Sequence, residues 1–134
     1  MRYIAYTDGS CDNINPRKPG GAAYIIFNED GTMFKKASKG FMNTTNNRME
    51  LLAIISVINS IPKGSSVIIY TDSQYCIKTL KSRKPKKNLD LIRKYHELIL
   101  NIGNVEFEWV KGHNGNVWNE ECDRMANGEY QKLK

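Results

Sequence analysis

Two segments of the chain carry the same three residues, and in each an aspartate follows an apolar run. The first segment, YIAYTDGS, contains Asp8, and the second, VIIYTDSQ, contains Asp72. Side chains alternate along a strand, so Tyr6 shares a face with Asp8, and Tyr70 shares one with Asp72. If the two strands are parallel neighbours, both carboxylates leave the same sheet edge, where a divalent cation would offset their repulsion. An aspartate followed by Gly9 is also typical of a turn, and that interpretation stays open.

Two more acidic residues and a histidine could take part in the same chemistry. Glu50 lies in the first turn of a predicted helix, although its spacing from Asn47 also fits a capping box. Asp123 lies in the last predicted helix among other acids, so a solvated helix face is the alternative. His113, in the Gly-rich loop KGHNGN, could be an acid or base near neutral pH or a loop residue without function. Together with Asp8 and Asp72, the carboxylates of Glu50 and Asp123 predict a pocket of oxygen ligands for hard cations.

Composition limits the class of protein. The chain has 134 residues with 40% hydrophobic and 25% charged residues, which suits one globular domain over 1–134. No apolar run approaches the roughly 20 residues of a membrane span, and no signal-peptide pattern is present. Three cysteines without a CxxC pair indicate a reducing compartment, and we expect a cytoplasmic location. The net charge of +6 suits a polyanionic partner.

Hydrophobic patterning predicts nine elements in the order β-β-β-α-β-α-α-β-α. The predicted strands cover 2–10, 21–27, 33–41, 66–73 and 105–110, and the predicted helices cover 48–61, 74–82, 88–102 and 117–133. The continuous apolar run of the fourth strand predicts burial on both of its faces. The order indicates an α/β fold, a mixed sheet with helices on its faces.

Four motifs, YTDGS, TTNNRMEL, YTDSQY and WVKGHNGNVWNEECD, occur in this order along the chain. Together they resemble ribonuclease H of type 1, the bacterial kind that cuts RNA in RNA–DNA hybrids, over essentially the whole chain. The resemblance implies a single domain with a five-stranded mixed sheet, three antiparallel then parallel strands, and helices on both faces. It also implies endonucleolytic hydrolysis of the RNA strand by two metal ions, which leaves 5′-phosphate and 3′-hydroxyl ends.

The same resemblance implies roles for individual residues. The catalytic, metal-binding carboxylates fall on Asp8, Glu50, Asp72 and Asp123, and the catalytic histidine falls on His113. The implied cofactor is Mg²⁺, two ions per active site with substrate, and Mn²⁺ could substitute. Asp8 would bridge both ions, and the division of the other carboxylates between them stays open.

Substrate contacts are implied on both strands of a hybrid. Asn46 and Asn47 match residues that contact the RNA 2′-hydroxyl, the group that distinguishes RNA from DNA. Thr45 matches a contact to a DNA phosphate, Asn15 joins the contacts to the 2′-hydroxyl, and Cys11 matches a position that contacts the substrate through its backbone. The alternative for the three residues 45–47 is that they cap the helix, and both roles are compatible.

The chain departs from many bacterial relatives, which insert a basic helix between the second and third helices. A basic segment remains at this place in the chain, and we name its possible phosphate-contacting residues Lys81, Arg83, Lys84, Lys86 and Lys87. A solvated loop is the alternative role. Trp118 is also unusual at its position, and we expect it to pack at the start of the last helix rather than stack on a base.

The expected partner is therefore an RNA–DNA hybrid, and the protein is expected to be monomeric with no membrane association. Two other functions stay open: a catalytically weak or inactive hybrid-binding module, and another nuclease on the same fold. A module that only binds would gain little from four acids facing a polyanion, which favours the enzyme.

Overall fold

A computed structural model of the chain describes residues 1–111 and 116–134, in which five strands form one sheet and four helices flank it. The strands are β1 Arg2–Cys11, β2 Gly20–Asn28, β3 Met33–Phe41, β4 Ser66–Thr71 and β5 Asn104–Trp109. The helices are α1 Asn46–Ser60, α2 Gln74–Lys81, α3 Leu89–Ile99 and α4 Val117–Gln131. Each element lies within three residues of its predicted bounds.

The strand order is β3-β2-β1-β4-β5, which confirms the predicted mixed sheet. β1, β2 and β3 pair antiparallel, whereas β4 pairs parallel with both β1 and β5. Tyr6 lies opposite Tyr70 in the parallel ladder. Asp8 and Asp72 each follow this tyrosine pair by two residues, so both leave the same edge of the sheet.

The turn interpretation of the residues after Asp8 is wrong. Asp8 lies opposite Ala23 and Gly9 lies opposite Ala22 in the ladder of β1 and β2. The strand therefore continues past the aspartate to Cys11, and Gly9 serves a purpose other than a turn.

Helices cover the two faces of the sheet unequally. α1 packs on β1 and β2 and contacts α3 on one face, while α4 packs on β1, β2 and β3 on the other. Val67 and Ile69 in β4 are buried in a core cluster that includes residues of α1 and α3, whereas Ile68 and Tyr70 on the other face are only half-buried. The predicted burial of β4 on both faces is therefore wrong, because α4 lies over the antiparallel half of the sheet.

Trp118, in the first turn of α4, packs on Phe27 of β2, with ring centroids 4.9 Å apart. The expected packing role is therefore confirmed. None of the helices in the described part of the chain has the length and apolar character needed to cross a bilayer.

Two glycines allow the helices to approach the sheet closely. A Cβ atom on Gly9 would overlap the backbone nitrogen of Glu50 and the carbonyl carbon of Met49 in α1. A Cβ atom on Gly21 would overlap the carbonyl oxygen of Ala126 in α4. Each contact involves helix backbone, which cannot move aside as a flexible side chain can, so a larger residue would displace a whole helix.

The Gly9 contact generates a testable prediction. We expect Gly9→Ala to lower the free energy of unfolding by about 1 to 3 kcal/mol, because α1 must shift away from β1. Gly128→Ala is the matched control: Gly128 is exposed in α4 and its added Cβ meets no atom within 4 Å in the described structure. Alanine is the better helix former, so this variant should gain up to about 1 kcal/mol. Urea unfolding of both variants gives the comparison, and equal behaviour would contradict the close-contact argument.

Candidate active site

β1 and β4 deliver two aspartates to one edge of the sheet. Asp8 is only 3% exposed, and its Oδ1 accepts a hydrogen bond of 2.9 Å from the backbone N–H of Gly9. Asp72 directly follows β4 and is half-buried. The parallel pairing of the two strands therefore places both carboxylates where the chain diverges, as the sequence predicts.

α1 brings a third carboxylate to the same edge. Its N-cap is Thr45, whose hydroxyl accepts a hydrogen bond of 3.2 Å from the backbone N–H of Arg48. The capping box expected between Asn47 and Glu50 is therefore wrong, because the helix begins two residues too early for it. Glu50 lies in the second turn and is 8% exposed, so its side chain contributes to the site rather than to the cap.

The three carboxylates converge without any basic partner in their group. Asp8, Glu50 and Asp72 each offer an oxygen, and these oxygens lie within 4.8 Å of one another. Oε1 of Glu50 is buried and has no hydrogen-bond partner among the residues the structure describes. An unpaired buried carboxylate oxygen beside two other carboxylates suits Mg²⁺ or a similar hard cation, which binds through oxygen ligands.

Asp123 approaches the group from α4. It is half-buried, and its Oδ2 accepts a hydrogen bond of 3.3 Å from the side chain of Asn127. It lies outside the set of three carboxylates whose oxygens are mutually within 4.8 Å. Its negative charge nevertheless helps to raise the pKa of Asp8, so the two side chains are near neighbours. The buried Cys122 holds this helix turn on β1, with its thiol 3.4 Å from the carbonyl oxygen of Tyr6.

The electrostatics of the site favour protonation when no cation is bound. Burial, together with the charges of Asp72 and Asp123, raises the pKa of Asp8 to about 8, although a hydrogen bond with Glu50 acts in the opposite direction. Burial also raises the pKa of Glu50 well above its usual value, and the charge of Asp8 adds to this effect. A bound cation would favour the ionised carboxylates, so the site is suited to exchange protons for metal.

The residues predicted to contact substrate surround the start of α1. Asn46 and Asn47 are exposed in its first turn, beside the N-cap residue Thr45. The capping alternative is confirmed for Thr45, whose hydroxyl is engaged by the helix. The side chains of Asn46 and Asn47 form no hydrogen bond within the described part of the chain, so their exposed amides are accessible to a ligand.

The other predicted substrate residues lie at the end of β1 and in the following loop. The thiol of Cys11 lies 3.3 Å from the carbonyl oxygen of Thr44, which ties the end of β1 to the start of α1. Oδ1 of Asn15 accepts a hydrogen bond of 2.9 Å from the backbone N–H of Arg17. Asn15 therefore shapes its own loop in this structure.

Two remaining predictions concern His113 and the basic segment. His113 lies outside the described residues. The basic segment occupies the end of α2 and the loop before α3, and its five predicted phosphate-contacting side chains are all exposed.

Sequence reasoning missed two features that position the site. The sequence did not indicate that Gly9 packs against α1, because a glycine after an aspartate is typical of a turn. The ion pair between Arg48 and Asp90, with a shortest distance of 2.7 Å, joins the starts of α1 and α3. Only tertiary packing brings these two side chains together, and no local pattern signals it.

Comparison with known proteins shows similarity along nearly the full length of the chain. Residues 1–131 match the family model described as RNase H. A protein of Pseudoalteromonas atlantica named Ribonuclease H is 41% identical, with 94% of this chain and 89% of that protein covered. A Ribonuclease H of Treponema denticola is 37% identical, with 99% of each covered. The crystal structure of RNase H1 from Halobacterium salinarum NRC-1 has a TM-score of 0.80 at 22% identity, covers 98% of this chain and 99% of its own, and supports the fold.

The raised pKa of Asp8 generates a prediction about the cation-free protein. The folded pKa of about 8 exceeds the ordinary value of 3.8, so the folded state holds a proton that the unfolded state releases. The resulting stabilisation is complete below the ordinary pKa and is lost as the pH rises to about 8. In EDTA, the free energy of unfolding should therefore fall between about pH 5 and about pH 8.

Asp8→Asn tests the origin of this fall. The drop in the wild-type protein should exceed the drop in Asp8→Asn by at least about 1 kcal/mol, measured by urea unfolding at both pH values. Asp30→Asn, which changes an exposed turn aspartate, should keep the wild-type drop. Equal drops in the wild-type protein and Asp8→Asn would show that Asp8 does not bind the proton.

Proposed function

We propose that this chain, which belongs to the RNase H family and is a ribonuclease, hydrolyses the RNA strand of RNA–DNA hybrids by a two-metal mechanism. The observation that carries the proposal is the meeting of Asp8, Glu50 and Asp72, from three different elements, within 4.8 Å. Carboxylates buried together at a sheet edge cost stability unless a cation offsets their charges. That cost is consistent with selection for catalysis rather than for folding.

The four carboxylates would hold the cations, with Asp8 at the centre of the set and Asp123 supplied by α4. Two divalent cations, when bound, supply a water of lowered pKa and stabilise the charge that develops on the leaving oxygen. The buried side chains of Asp8 and Glu50 would present oxygens in fixed directions. Attack of water on phosphorus with departure of the 3′-oxygen would leave a 5′-phosphate and a 3′-hydroxyl, and His113 would assist proton transfer or product release.

The hybrid would be recognised beside the carboxylates. Asn46 and Asn47 are exposed in the helix turn that precedes Glu50, and their amides can both donate to and accept from an RNA 2′-hydroxyl. Thr45 would contact a DNA phosphate in addition to capping α1. Cys11, at the end of β1, and Asn15, in the loop that follows, would also contact the substrate. The asparagines would therefore select RNA at the strand that is cut.

The basic segment would bind the phosphate backbone at a second place. Its side chains are exposed and belong to α2 and the loop after it, and α2 begins two residues after Asp72. The basic residues therefore follow, along the chain, the edge of the sheet that carries the site. Contacts of this kind add affinity without sequence preference, because phosphates are the same at every base. A monomeric state and a cytoplasmic location stay predictions.

The cleavage reaction can be tested on three labelled substrates: an RNA–DNA hybrid, an RNA duplex and a DNA duplex. We expect cleavage of only the RNA strand of the hybrid in Mg²⁺, and none in EDTA. Asp8→Asn should lower kcat by about three orders of magnitude, because metal-ion catalysis contributes several kcal/mol. Asp30→Asn should retain full activity. Binding of the hybrid without cleavage would instead support the inactive binding module, and cleavage of the DNA duplex would support another nuclease.

The role of His113 has a separate test in the same assay. Because a histidine that assists proton transfer is less essential than the metal ligands, His113→Ala should lower kcat far less than Asp8→Asn. Because a proton-transferring histidine titrates near neutral pH, kcat should also depend less on pH near neutrality in this variant than in the wild-type protein. A loss equal to that of Asp8→Asn would contradict the assisting role.

The basic segment predicts a change in the salt dependence of hybrid binding. The double variant Lys84→Glu with Lys86→Glu should reduce the slope of log Kd against log salt by roughly 1 to 2, since each lost phosphate contact removes about 0.9. Arg2→Glu with Lys63→Glu is the matched control, because it changes the net charge equally at the opposite edge of the sheet. Binding is measured in EDTA, so that no cleavage occurs. An unchanged slope in the first variant would contradict phosphate contact by this segment.

A further inference from the structure

A chain of hydrogen bonds joins the helices on either side of the carboxylates. Nη1 of Arg48 donates to Oδ1 of Asn88 at 3.3 Å, and Nδ2 of Asn88 donates to Oη of Tyr75 at 2.9 Å. Arg48 also donates to both carboxylate oxygens of Asp90, at 3.0 Å and 2.7 Å. A side chain in α1 is thereby connected to a side chain in α2 through the residue that precedes α3.

Asn88 occupies this position at a cost to its own helix. It is the N-cap residue of α3, but its side chain makes no capping hydrogen bond within the described structure. Its backbone adopts the left-handed conformation, with φ 57° and ψ 37°, which is uncommon for residues other than glycine. An asparagine at an N-cap ordinarily stabilises the helix with its side-chain oxygen. Here that oxygen is directed to Arg48, which suggests that the bridge has a function of its own.

The two ends of the bridge lie beside metal-binding carboxylates. Arg48 precedes Glu50 by two residues in α1, and Tyr75 follows Asp72 by three residues in the first turn of α2. Glu50 and Asp72 belong to different elements, yet their oxygens must lie close together to bind the same cations. A contact that joins the two elements therefore limits how far the two carboxylates can separate.

The ion pair keeps Arg48 in place at neutral pH. Asp90 is ionised at neutral pH, and the hydrogen bonds from Arg48 lower its pKa further, to about 2. The pair is bidentate, a geometry that restricts the orientation of the guanidinium group. Arg48 can then offer its Nη1 to Asn88 from a fixed direction.

We propose that Asn88 is a positioning residue, which sets the spacing of Glu50 and Asp72 through Arg48 and Tyr75 and thereby raises the affinity of the site for divalent cations. The inference rests on the proposed function, since it assumes that these carboxylates bind metal. Groups that hold metal ligands in place influence affinity because a preformed site loses less freedom on binding. Asn88 itself has no part in the chemical step.

Two conservative variants test the bridge. Tyr75→Phe removes only the hydroxyl that accepts from Asn88, and Asn88→Gly removes the amide while glycine readily keeps the left-handed backbone. Tyr24→Phe is the matched control, because the Tyr24 hydroxyl lies 3.2 Å from Oγ of Ser60, at the far end of α1 from the carboxylates. Each variant loses the hydrogen bonds of one side chain. The bridge variants and the control therefore differ in where the lost hydrogen bond lies relative to the carboxylates.

The measurement is titration of the full chain with Mn²⁺ by calorimetry, without nucleic acid. Tyr75→Phe and Asn88→Gly should each raise the Kd for Mn²⁺ roughly three- to tenfold, the effect expected from one hydrogen bond. Tyr24→Phe should leave the Kd within about twofold of the wild-type value. Thermal unfolding in EDTA is recorded in parallel, because a merely structural role would lower Tm without changing the Kd.

The outcomes separate this inference from the proposed function. If the wild-type protein binds Mn²⁺ and the two bridge variants bind it equally well, the positioning role is wrong and the metal-dependent function stands. If the wild-type protein binds no Mn²⁺, both proposals fail. If all three variants weaken binding equally, the effect belongs to general loss of stability, and the positioning role is again wrong.

Discussion

The site depends on a single close contact, the approach of the α1 backbone to β1 at Gly9. No side chain separates the two elements at this point, so Glu50 reaches the same edge of the sheet as Asp8. A methyl group there would overlap the α1 backbone and displace the helix that carries Glu50. Gly21 plays the corresponding part for α4, which carries Asp123. These two glycines thus let α1 and α4, which carry Glu50 and Asp123, pack closely on the sheet.

The apolar core between α1 and the sheet stabilises the fold, whereas the buried carboxylates beside it lower the stability of the folded state. Ile54 and Ile69 are fully buried between α1 and the sheet, where apolar burial favours folding. Asp8 and Glu50 are almost as deeply buried a few residues away, and neither forms a salt bridge within the described part of the chain. The apolar core therefore has to hold two buried carboxyl groups together, and their raised pKa values favour the protonated forms while no cation is bound.

α1 serves both the cation site and the expected nucleic-acid surface through its first two turns. Thr45 caps the helix, Asn46 and Asn47 remain exposed, and Glu50 is buried. The exposed amides and the buried carboxylate are about one helical turn apart. One helix could therefore contact a sugar hydroxyl through its asparagines and bind cations through Glu50. The bridge from Arg48 through Asn88 adds a support for this turn from outside the sheet.

The sequence by itself determined the elements, their order, and the delivery of Asp8 and Asp72 to one edge, because these follow from local periodicity and from alternation along parallel strands. Only the tertiary structure decided that Gly9 packs against the α1 backbone and that Thr45, rather than a pair of Asn47 and Glu50, caps α1. It also decided that α4 does not cover one face of β4 and that Asn88 connects two helices. Each of these outcomes depends on atoms from segments far apart in the chain, and local patterns carry no information about which distant backbone will come within contact distance.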